Sequence, residues 1–178
     1  MKRALSTLLF PLLLVSCGDT DPMGFTVKDI EGTTWQFEVH LADGRVFYEA
    51  KTMQEGVDSE REDSFTDFFS DEAELRAFSF EDTTDEQFLE RFDAAFFEKN
   101  CLAYWLKYVP DTGHTFYPTN YSFSGNELNL YGVMDRGHGA WFVVCNSHLF
   151  FPIPKDIVPT GEITIHTSWT YLSASPTH

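Results

Sequence analysis

Between residues 33 and 41, Thr33, Trp35, Phe37, Val39 and Leu41 alternate with Thr34, Gln36, Glu38 and His40. Successive side chains of a strand point to opposite faces, so this two-residue rhythm describes a half-buried β-strand. Asp43-Gly44 follows, a dipeptide suited to the positive backbone angles of a tight hairpin turn. Residues 46–52 then resume the extended pattern with Val46, Phe47 and Tyr48. The segment predicts a β-hairpin.

The next stretch reads differently. Residues 55–98 hold sixteen carboxylates against Arg61, Arg76 and Arg91. Residues 55–63 suit a solvated loop. Residues 71–77 suit a short helix capped by Ser70. A longer helix is expected over 85–97, where Thr84 and Gln87 have capping-box spacing. Phe88, Leu89, Phe92, Ala95 and Phe96 then fall on one face, a stripe that reads as core packing.

Strand patterns return after Asn100. Residues 101–109 are densely apolar and suit a central strand covered on both faces. Asp111-Thr112-Gly113 reads as a turn. Residues 119–124 and 127–133 flank Gly125-Asn126 as a second hairpin. A glycine-rich loop is expected at 135–139, a strand at 141–151 stopped by Pro152 and Pro154, and a last strand at 162–170. The fold class is therefore α+β. A mainly antiparallel sheet, a sandwich or a small barrel of six or seven strands, takes one or two helices after its first hairpin.

The N-terminus carries a different signal. Lys2 and Arg3 precede an apolar run from Leu8 to Val15, interrupted by Pro11. That run is far shorter than the ~20 residues a spanning helix needs, and it suits a secretory signal. Leu14-Val15-Ser16-Cys17 resembles the lipobox of bacterial lipoproteins. The resemblance implies export, cleavage before Cys17 and lipidation of that cysteine, with multiple acyl chains giving stable anchorage. Gly18, rather than Asp, after the cysteine implies the outer membrane. The expected organisation is a signal peptide at 1–16, a lipidated tether at 17–28, one globular domain at 29–172 and a tail at 173–178.

The net charge of −16 repels phosphate backbones, which excludes nucleic acid as a partner. Cys101 and Cys145 remain after Cys17. In an oxidising compartment they are expected to pair, the alternative being two buried thiols. A metal site is not expected. His148 follows Cys145 by three residues, which places the two on opposite faces of a strand.

No HExxH, GxSxG, SxxK or GxxxxGK[ST] pattern occurs, and the acidic stretch lacks a calcium-loop pattern. No catalytic residue, metal or cofactor is expected. Asp111, His114, Asp135, Arg136 and His138 lie in predicted loops that can meet at one end of the sheet. They form the candidate binding surface.

Residues 92–106, Phe92-Asp93-Ala94-Ala95-Phe96-Phe97-Glu98-Lys99-Asn100 and the apolar strand after them, resemble the opening of bacterial protease-complex-subunit (PrcB-like) C-terminal domains. Ser124-Gly125-Asn126-Glu127-Leu128 and Ala140-Trp141-Phe142-Val143-Val144 extend that similarity over residues 71–158. It implies a non-catalytic β-rich module that binds or stabilises another envelope protein. Gly32-Thr33-Thr34-Trp35 resembles the Gly-x-Trp start of lipocalin-like lipoproteins, which implies a carrier with an aromatic-lined pocket as the alternative. A third reading is an envelope hydrolase using His138 or His114 with Asp135.

Overall fold

A computed structural model describes residues 24–31, 35–53, 64–80, 86–109, 114–136 and 145–172. The expected signal peptide at 1–16, Cys17, Thr84, Asp111, His138 and the expected tail at 173–178 lie outside the described residues.

The expected first hairpin is present as β2 (Gln36–Leu41) and β3 (Val46–Met53), paired antiparallel around a turn with Gly44 at φ +87°. Trp35 stands just before it at φ +64°, a conformation uncommon for a bulky side chain. Its carbonyl accepts from the Lys51 amide at 2.9 Å, which holds the bend into β2. An unforeseen strand, β1 (Phe25–Asp29), pairs with β2 and takes up residues assigned to the tether.

A second unforeseen strand, β4 (Phe65–Phe69), follows in the acidic region. Helix α1 (Glu72–Ala77) then starts at Asp71, not Ser70. The Asp71 carboxylate accepts from the Glu74 amide, and Glu74 reaches back to accept from both the amide and hydroxyl of Ser70. The expected single helix at 85–97 is two short ones, α2 (Glu86–Leu89) and α3 (Ala94–Lys99). Asp93 breaks the helix because its carboxylate caps the Phe96 amide at 2.8 Å. The restart shifts the helical phase. Phe88, Leu89 and Phe92 are buried as expected, but Phe97 is buried where Ala95 is exposed.

β5 (Asn100–Val109) is the central strand foreseen. It lies between β4 and β8 (Cys145–Pro154) in a six-stranded sheet of order β1-β2-β3-β8-β5-β4. β8 continues through both prolines that were expected to stop it. Beyond Phe150 it has no register partner in β3, so a proline there removes no ladder bond on that side. β6 (His114–Ser124), β7 (Glu127–Arg136) and β9 (Thr164–Tyr171) make a second sheet, in which β7 and β9 run parallel. The α+β class and the mainly antiparallel sandwich are thus as expected, with nine strands among the described residues.

Alternation along β5 divides the core. Ala103, Trp105 and Val109 face the three-stranded sheet, with Phe116, Leu128, Leu130 and Leu149. Leu102, Tyr104, Leu106 and Tyr108 face the helices, with Phe88, Phe92, Phe97 and Phe150. Each large side chain buried in this way contributes about 1.5–3 kcal/mol.

The register corrects the cysteine pairing. Cys101 stands opposite Ile153 and Cys145 opposite Val109, at the two ends of the β5–β8 ladder. Eight residue steps of about 3.3 Å each separate those ends, far beyond disulfide reach. Both are buried free thiols. Cys145 and His148 do occupy opposite faces, Cys145 between the sheets and His148 toward the helices.

A candidate binding cleft between two sheet edges

Among the described residues three strands face a sheet of six, and the part they leave uncovered lies at β4. There Thr66, Phe68 and Ser70 line one wall and Ile163 and Ile165 the other, leaving a solvent-open cleft of about 560 Å³. β4 is an outer strand of the large sheet and β9 an outer strand of the small one. Val158 and Pro159 also line it.

Local chemistry fixes these walls. Asn126, in the β6–β7 turn, donates from Nδ2 to the carbonyls of Thr160 and Glu162, both at 3.1 Å. This ties the 158–163 segment to the small sheet. Gly161 takes φ +109° against that amide, which sits 2.9 Å from where a Cβ would be. On the opposite wall, Asp67 accepts from the Phe68 amide at 2.7 Å, and Glu74 is anchored on Ser70.

Asp67 and Glu74 are the carboxylates among the described lining residues, and no cation lines the cleft with them. Cys101 lies between the walls. Burial pushes its thiol pKa up, the charge of Lys155 opposes this, and that of Glu74 adds to it.

The sequence pointed to the other end of the sandwich. His114 opens β6 opposite Arg136 at the end of β7, and Thr115 stands opposite Asp135. Three of the five candidate binding residues, His114, Asp135 and Arg136, are therefore brought together. All three lie on strands, not in loops. Asp111 and His138 lie outside the described residues. Lys51 joins this end to the large sheet, its ammonium donating to the His114 carbonyl at 3.2 Å and to Thr115 Oγ1 at 2.8 Å.

Behind Lys51 lies Glu49, fully buried between the sheets. Burial pushes its pKa up to about 7, against the charge of Lys51, the Ser147 hydroxyl and the Phe116 amide. On the helix side, His148 is also fully buried and bridges Thr52 Oγ1 at 3.1 Å and Tyr104 Oη at 2.8 Å. These groups have catalytic chemistry in principle, but Glu49, Ser147 and His148 are closed off from solvent. Among the described residues, no group of three or more His, Cys, Asp or Glu is placed to hold a metal. No described helix is long and apolar enough to cross a membrane.

The chain matches no family model, no curated protein and no solved structure. The similarity of residues 71–158 to PrcB-like domains gains no support from those comparisons. What the structure defines is a class: a helix-backed sandwich of six and three strands with an acid-rimmed cleft where the smaller sheet stops.

Sequence reasoning missed the cleft. Its signal was faint: the alternating Ile163 and Ile165, and Phe68 in a run of acids. Nothing in their spacing says that β4 and β9 are neighbours.

Proposed function

We propose that this chain is a lipid-anchored binding module of the bacterial cell envelope, without catalysis of its own, that holds a protein partner in the cleft between β4 and β9. The cleft carries the reading. It has apolar walls in Phe68, Ile163 and Ile165, polar rims, and, among the described residues, the Cys101 thiol as the one buried reactive group lining it. The Leu14-Val15-Ser16-Cys17 lipobox supports the tether, and Gly18 supports the outer membrane as its address.

A protein segment suits the cleft better than a small ligand. Aromatic rings that a carrier would turn toward its ligand pack on one another instead, as in Phe88 with Phe92 and Phe150 at 5.9 and 5.2 Å. Phe68 is the one ring among the described lining residues.

Cross-linking of the full chain in its own host's membranes tests the reading. One dominant envelope protein, lost when Phe68 and Ile165 are both replaced by Ser in a folded variant, supports it. Turnover of a general hydrolase substrate panel at enzymatic rates refutes it. The Cys17→Ala chain is expected in the soluble envelope fraction, and its retention on membranes would sink the lipid tether.

A further inference from the structure

We infer that β9 accepts an extended, basic segment of the partner as a fourth strand of the small sheet, laid over the uncovered face of β4. The inference rests on the binding-module reading and deepens it by assigning the mode of binding and the chemistry of the segment.

The Thr164 amide donates to the Asn126 carbonyl at 3.0 Å and the Leu172 amide to Met134 at 2.9 Å. Even-numbered residues of β9 therefore turn their amides toward β7. Because peptide directions alternate along a strand, Ile165 and Thr167 turn theirs to the far edge. No described strand pairs with that edge. An unpaired edge is a template for an added strand unless something blunts it.

The two outer strands beside the cleft differ in this respect. β4 has five residues, and the Asp67 carboxylate already occupies the Phe68 amide. β9 has eight residues, and among the described residues no side chain caps the amide of Ile165 or Thr167. A strand added to β9 lies about 4.8 Å beyond it, in the layer about 10 Å above the large sheet. That position is the cleft. Alternate side chains of the added strand would fall onto Phe68 and Ile165, and the rest would stay in solvent.

Charge selects the occupant. The cleft presents the carboxylates of Asp67 and Glu74, on a chain of net charge −16. A second copy of this chain brings more negative charge, so self-pairing is disfavoured. A partner segment with apolar residues on its inward face and Lys or Arg on the other matches the apolar walls in pattern and the chain's overall negative field in sign.

The test uses the chain from Gly18 onward and end-capped synthetic peptides of alternating lysine and valine, with a glutamate–valine peptide as control. The lysine peptide is expected to bind and to slow amide exchange at Ile165 and Thr167. Thr167→Pro removes an edge donor without touching the β7 ladder, and should weaken binding roughly tenfold, the worth of one or two main-chain hydrogen bonds. Asp67→Asn with Glu74→Gln keeps the local hydrogen bonds, and should weaken the lysine peptide while flattening its salt dependence. A readout independent of protein folding comes from N-methylating alternate peptide amides. Methylation in one phase should abolish binding and in the other spare it.

Equal binding of both methylated phases, or of lysine and glutamate peptides, overturns the inference. So does reversible self-association lost in Thr167→Pro, which makes the occupant a second copy. Binding that appears only after deletion of residues 173–178 makes the occupant the chain's own terminus and also overturns it. If Thr167→Pro cross-links its envelope partner as the unaltered chain does, strand addition fails while the binding-module reading stands.

Discussion

The Ser147 hydroxyl donates a 2.5 Å hydrogen bond to Glu49 Oε1 between neighbouring strands β8 and β3, and both side chains are wholly buried. The second carboxylate oxygen, Oε2, has no hydrogen-bond partner among the described residues. A carboxylate held this way is half-satisfied, which is why burial dominates its titration.

Stability should therefore fall as pH rises across this group's window. Its folded pKa of about 7 lies above the ordinary carboxylate value of 4.5. Between those values the unfolded chain holds fewer protons here than the folded one, so ionisation favours unfolding. The loss begins near pH 4.5, is complete above about pH 7 and amounts to at most about 3 kcal/mol. Glu49→Gln should remove that part of the slope, gaining stability at pH 8 relative to pH 5 when compared with the parent chain. Urea unfolding of both proteins at the two pH values measures it; parallel slopes would refute a buried ionising Glu49.

Gly132 is required by packing. A Cβ there would meet the Phe116 ring, 2.8 Å from Cζ, with the Tyr117 carbonyl at 3.2 Å. Phe116 is fully buried between Trp105 and Trp169, so it cannot swing away freely. Gly132→Ala should cost about 1–3 kcal/mol. Adding Phe116→Leu should recover part of that loss, and a double-mutant cycle by denaturant titration reads the coupling.

The cysteines offer a direct check of register. The chain from Gly18 onward should titrate two thiols after unfolding, and reductant should leave its melting temperature unchanged. Zero thiols would require Cys101 and Cys145 to meet, which the β5–β8 ladder forbids.

Asp93 controls the break between α2 and α3. Asp93→Ala removes the cap on the Phe96 amide and should cost about 1 kcal/mol. Calorimetric melting of the variant measures it. No change in melting temperature would mean that the packing of Phe92 and Phe97, not the cap, sets the helix start.

Much of the strand content was legible because each strand has one dry face. Val39 and Phe47 in the first hairpin, and the doubly buried run of β5, carry that signature in the spacing of their apolar residues. β6 shows where it fades. Its ladder with β7 shifts between Pro118 and Asn120, so the inward residues change from Phe116 and Pro118 to Tyr121 and Phe123. A bulge of one residue reverses parity, and no local pattern announces it. β4 and β1 were missed for a related reason. Each is a five-residue outer strand with a single fully buried residue, so its pattern is thin.

The sequence alone determined the class of fold, the first hairpin and the central strand, because periodicity and turn residues act over a few consecutive positions. Tertiary structure alone decided that β9 runs parallel to β7, that Cys101 and Cys145 stand at opposite ends of a ladder, and that no described strand of the small sheet covers the large one at β4. Those are relations between segments tens of residues apart. They follow from which dry faces find each other in three dimensions, and the candidate cleft exists because one sheet runs out of strands before the other.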